Sequence, residues 1–99
     1  MYDVKIISDT VEDGVRKASF ETCAVVCSER IDIELEGDVI RSVRYTRGCN
    51  GNTQGVSSLC AGMKKDDVIA RLRGIDCKGR GTSCPDQLAR ALEKMSENL

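Results

Sequence analysis

The chain has 99 residues, 6 Cys, 9 Gly, 1 Pro and no His, with 15 basic against 16 acidic side chains and a formal net charge of -1. One domain with one core fits that length. The missing imidazole excludes Ser-His and Cys-His nucleophile pairs and every His metal ligand. The balanced charge leaves no electrostatic footprint for nucleic acid or an anionic membrane.

Residues 1–22 contain two short extended segments, Val4 to Ile7 and Val15 to Phe20, around a turn-rich stretch from Asp9 to Gly14. Ile31, Ile33 and Leu35 alternate with Asp32, Glu34 and Glu36, the period of a half-buried strand. Gly37-Asp38 reads as a tight hairpin turn, and a return strand follows from Val39 to Thr46. Ile40 and Arg41 break its alternation, which predicts a bulge. After the Gly-rich loop Gly48-Cys49-Asn50-Gly51-Asn52 the period becomes helical, with Val56, Leu59, Cys60 and Met63 on one stripe and Gly62 ending it. A second helix begins at Asp66 or Asp67 and stops at Gly74. The polar loop Asp76 to Ser83 leads to a last helix from Pro85 to Asn98, with Leu88, Ala91, Leu92, Met95 and Leu99 inward. Arg90, Glu93, Lys94 and Glu97 form a solvated face. Strands followed by helices predict an α+β fold, a small antiparallel sheet with three helices on one face.

The N-terminus carries neither a basic region nor an apolar core of a signal peptide. No apolar run reaches the roughly 18–20 residues that span a bilayer. The expected address is therefore the cytoplasm, where clustered thiols more often bind metal or carry out redox chemistry than pair as disulfides. Six thiols would still allow 15 complete pairings.

The cysteines separate by position. Cys60 lies on an apolar helical stripe and is expected in the core. Cys84 precedes Pro85, a residue favoured at the start of helices, so it stands at or next to the N-cap, where amides and the helix dipole stabilise a thiolate. Ser83 is the competing cap. Cys27, Cys49, Cys77 and Cys84 all fall at ends of predicted elements, where they can converge. Four thiolates suit tetrahedral Zn²⁺ or an iron–sulfur cluster, although their separations of 22, 28 and 7 residues match no zinc-finger pattern. Arg44, Arg47, Lys78 and Arg80 are available to balance thiolate charge. Cys23, four residues before Cys27, has no assigned role.

Gly48-Cys49-Asn50-Gly51-Asn52, Gly74-Ile75-Asp76-Cys77 and Thr82-Ser83-Cys84-Pro85-Asp86-Gln87-Leu88-Ala89 resemble the TSCPD domain, named for its Thr-Ser-Cys-Pro-Asp signature. The resemblance covers residues 25–95 as a family core within a single domain of 1–99, with residues 1–24 as extra N-terminal strands. It maps the family's four cysteines onto Cys27, Cys49, Cys77 and Cys84, with Gly48, Asn50, Gly51, Asn52 and Asp86 in support and no catalytic residue. The family includes small stand-alone proteins and a C-terminal module of adenosylcobalamin-dependent ribonucleotide reductases. The implied function is a small metal-binding accessory or scaffold module, with a larger reductase or an iron–sulfur protein as partner and no role for nucleic acid or membrane. The alternative is a thiol redox module using Cys77 and Cys84. Family membership would carry a ribonucleoside-diphosphate reductase label, but 99 residues cannot hold that enzyme's barrel and radical site. The order Cys27, hairpin, Gly48-Cys49, Ser57-Ser58 and Cys84 also resembles, in arrangement, NifU-like iron–sulfur assembly scaffolds.

Overall fold

The computed structural model describes residues 3–23, 26, 28–47, 50–76, 79 and 81–97, with the side chains at 50–52 and 97 outside the description. Four strands, β1 (Lys5–Glu12), β2 (Val15–Glu21), β3 (Arg30–Glu36) and β4 (Val39–Thr46), precede three helices. These are α1 (Asn50–Cys60), α2 (Lys65–Leu72) and α3 (Cys84–Glu97). The strands form one antiparallel sheet in the order β1-β2-β3-β4. The fold is α+β, as expected.

The first hairpin is tighter than its sequence suggests. Asp9 to Glu12 belong to β1, and only Asp13 (φ 52°) and Gly14 (φ 78°) turn. Two successive left-handed residues make the primed turn that matches strand twist. Cross-strand pairing holds the polar run extended: Arg16 donates to both Asp9 carboxylate oxygens, at 2.9 and 2.5 Å, and Lys17 reaches Glu12 at 3.3 Å. Ile7 is an extra residue in the β1 ladder, between Ile6 opposite Phe20 and Ser8 opposite Ser19.

In the second hairpin the predicted bulge is present. Glu34 faces Ser42 and Leu35 faces Ile40, leaving Arg41 unpaired. That extra residue brings Ile40 onto the face of Val43 and Tyr45, and a regular strand would have pointed it away. One sheet face is consequently apolar, built from Ala18, Phe20, Ile31, Ile33, Leu35, Ile40 and Val43, and α3 covers it with Leu88, Ala91, Leu92 and Met95. Each of these large side chains contributes about 1.5–3 kcal/mol by leaving water. The opposite face carries Lys17, Ser19, Asp32, Glu34, Ser42 and Arg44 around a polar depression.

α1 starts six residues before Val56, so Asn50, Gly51 and Asn52 form its first turn and not a loop. Its buried line runs through Thr53 and Cys60, with Val56 packed beside them. Leu59, expected inward, is 76% exposed. It borders a shallow apolar cleft between α1 and α2, with Met63, Val68 and Leu72. α2 is capped by backbone and not by Asp66 or Asp67. Lys64 bridges to Val39, and the Lys65 amide donates to the Asp38 carbonyl at 2.8 Å. The two aspartates occupy the first turn, where they meet the positive end of the helix dipole. Among the described residues no helix is long and apolar enough to cross a membrane.

Candidate functional site

The start of α3 is held by a dense set of hydrogen bonds among the described residues. Thr82, Ser83, Cys84, Asp86 and Gln87 are all buried. Ser83 is the cap. Its hydroxyl accepts from the Asp86 amide at 3.1 Å and donates to the Ile75 carbonyl at 2.7 Å, while its own carbonyl accepts the first helical bond from Gln87. Cys84 is therefore the first helical residue, next to the cap as the sequence indicated.

Asp86 is the hub. Its carboxylate is fully buried and accepts from Thr82 Oγ1 (2.5 Å), the Gly74 amide (2.7 Å) and Arg90 Nε (2.8 Å), with Arg73 at 3.5 Å. Burial pushes the carboxyl upward, but the three hydrogen bonds and the Arg90 charge outweigh it and hold Asp86 below the ordinary carboxylate range. Gly74, at φ 92°, turns the chain so that its amide meets the carboxylate, a conformation costly for any residue with a Cβ. Gln87 donates to Thr82 Oγ1 at 3.0 Å and accepts the Cys23 amide at 2.9 Å, tying the β2–β3 connection to the helix. The supposedly solvated face of α3 is partly engaged: Arg90 holds Asp86, Glu93 accepts from Arg73 at 2.7 Å, and Lys94 lies 2.9 Å from Asp3.

The Cys84 thiol is buried and unbridged, with Sγ 3.2 Å from the Ser28 hydroxyl. Tyr45 donates its phenol hydrogen to the Cys84 carbonyl at 2.9 Å. Burial, and after it the charge that Cys84 and Cys60 carry as thiolates, raises the Tyr45 phenol far above its usual range and keeps it a donor. Ser28 is fixed by Thr22, whose hydroxyl donates to the Ser28 carbonyl at 2.6 Å and whose amide donates to the Glu29 carbonyl. Asp76 accepts the Gly79 and Gly81 amides at 2.6 and 2.5 Å.

Of the four proposed ligands the structure describes Cys84 alone. Cys27, Cys49 and Cys77, with Gly48, Lys78 and Arg80, lie outside the described residues. Among the described residues no group of three or more metal-ligating side chains comes together. Asp86 sits within α3, not in a loop, and ties the start of that helix to Thr82 and Gly74. Cys60 is in the core, as expected, and burial raises its thiol pKa. Cys23 is half-buried; its backbone amide donates to Gln87 and its carbonyl accepts from the Val26 amide at 3.4 Å. Ser28 and Tyr45 were missed by sequence reasoning, and Gly74 was read as a helix stop and part of the family motif, not as a partner of Asp86. An inward position with a polar tip was the available signal for Tyr45, and no spacing pointed to Ser28. Arg44, Tyr45, Arg47, Thr53, Gln54 and Ser57 border an open cleft of about 340 Å³ between β4 and α1.

A four-stranded antiparallel meander under three helices, with the last helix opened by a buried Ser-Cys-Pro-Asp start, defines a small α+β cysteine domain. The family model of the TSCPD domain matches residues 4–96, and the chain belongs to that family. The match takes in β1 and β2. No curated protein and no solved structure matches the chain.

Proposed function

We propose that the chain is a small accessory module that holds a metal centre, Zn²⁺ or an iron–sulfur cluster, on Cys27, Cys49, Cys77 and Cys84. The observation that carries the reading is the meeting of described chain neighbours at the start of α3. Ser28, which follows Cys27, touches Cys84 Sγ. Ile75, two residues before Cys77, accepts from Ser83. Tyr45, near the end of the strand that leads to Cys49, donates to the Cys84 carbonyl. The donor chemistry fits, since in a chain without His the thiolates are the soft donors, and these suit zinc and iron–sulfur centres. A hydroxyl beside Cys84 Sγ is the outer contact that orients and tunes a coordinated thiolate. Such a centre would supply structural cross-linking as zinc, or electron transfer as a cluster. Family membership makes a larger reductase or an iron–sulfur protein the expected class of partner.

Metal analysis of anaerobically purified protein tests this. About one equivalent or more of zinc or iron per chain is expected, and a near-visible absorption band distinguishes a cluster from zinc. Cys84→Ser should lose most of the metal and Cys60→Ala should retain it. Less than about a tenth of an equivalent in the parent protein overturns the proposal. A second reading, thiol–disulfide exchange between Cys77 and Cys84, draws on Cys84 as an unbridged thiol in the first turn of a helix. Thiol titration of the metal-free protein decides it, because that reading requires a reversible Cys77–Cys84 disulfide.

A further inference from the structure

Among the described residues β1 pairs with β2 alone, so its outer edge of amides and carbonyls is unpaired. All eight β1 residues are exposed, including Ile6 at 47% and Val11 at 72%. Both lie on the side of the sheet that the helices cover elsewhere, because they stand opposite Phe20 and Arg16 of β2. The helix layer therefore stops short of β1 and leaves two apolar side chains beside a free edge. β1 carries some of the devices that natural edges use, a bulge at Ile7 and Lys5 at its start, yet leaves these two apolar side chains bare.

We propose that this edge is the site where a second copy of the chain docks, β1 against β1 in antiparallel fashion, to form one continuous eight-stranded sheet. The argument is the self-complementarity of the strand. With Ile7 bulged out, the β1 ladder has seven positions, Lys5, Ile6, Ser8, Asp9, Thr10, Val11 and Glu12. A two-fold axis through Asp9, the middle position, sets Lys5 opposite Glu12 of the second copy, Ile6 opposite Val11, and Ser8 opposite Thr10. Every pair then shares a face, as an antiparallel ladder requires. Charges of opposite sign meet at both ends and apolar side chains meet just inside them. The central Asp9 carboxylates are already held by Arg16 within each chain, so two ion pairs and not two bare charges approach the axis. Moving the register by two positions in either direction puts Ile6 or Val11 opposite Asp9, which disfavours the alternatives.

Sedimentation equilibrium under reducing conditions, up to about 1 mM protein, tests the proposal. The parent chain is expected to reach twice the 10.8 kDa protomer mass. Val11→Lys should weaken association at least about tenfold, and Lys5→Glu or Glu12→Lys alone should weaken it by up to about tenfold, because each places like charges opposite one another twice. Mixing the Lys5→Glu chain with the Glu12→Lys chain should restore a dimer, since both contacts between opposite charges return. Glu12 also meets Lys17 in its own chain, so the recovery in the mixture, and not the single variant, is the decisive reading. A parent chain that stays monomeric throughout overturns the proposal. So does a dimer indifferent to Val11→Lys, or a mixture that associates no better than its components.

Discussion

Asp86 shows how a signature residue can act on architecture. A carboxylate with no exposure is tolerable only because Thr82, Gly74 and Arg90 satisfy it. Asp86→Asn removes the charge that faces Arg90 and should cost about 3 kcal/mol, read as a lowered midpoint in denaturant. The pH dependence has a definite sign. The folded pKa lies below the unfolded value of 3.8, so the stabilisation is complete above 3.8 and is lost as pH falls through the folded value. Asp3 and Asp9 are lowered as well and share that acid limb. The variant should therefore show a shallower loss of stability below about pH 4, and an unchanged acid slope would contradict the assignment. The sequence placed the Cys84 thiol beside a helix cap. It could not reveal Asp86 as a hub, because Gly74 and Arg73 reach it from another element.

Among the elements, Gly74 joins α2 to α3 through one amide. At φ 92° with open space around the missing Cβ, Gly74→Ala meets no steric neighbour and is penalised by backbone conformation alone. The expected loss is about 1 kcal/mol, with α3 amides exchanging faster with solvent. An unchanged exchange pattern would show that the Asp86–Gly74 contact does not couple the helices. The pattern of legible and illegible elements has physical causes. β3 was plain because its alternation is strict, and the Arg41 bulge was readable because an apolar phase slips there. β1 looked half its length because Asp9 to Glu12 has turn-like composition, while the Arg16 and Lys17 pairings that keep it extended come from the next strand. The start of α1 was hidden because Asn50-Gly51-Asn52 has low intrinsic helix propensity. For α2, the cap came from Asp38 on a distant turn, which no local signal could supply.

For the whole molecule, the proposed metal centre ties stability to metal. Chelation should lower the thermal midpoint of the parent protein, and re-adding the metal should restore it; an unchanged midpoint after verified removal would argue that the centre plays no part in folding. The sites legible in the sequence were four cysteines and a signature, and the described residues supply the frame around one of them. The clamp at the start of α3 also bears on the order of folding. The strands follow one another as hairpins and depend on near neighbours along the chain, whereas α3 closes over Phe20, Ile31 and Ile33 from more than fifty positions away. It is the last of the described elements to leave the ribosome, so the part of the sheet's apolar face that Leu88, Ala91, Leu92 and Met95 cover waits in water until α3 emerges. Loop closure over such distances comes late. Disrupting Asp86 should then quicken unfolding and leave the refolding rate nearly unchanged in a stopped-flow chevron. The same acidic side chain that satisfies the helix start would set how long the finished molecule stays shut.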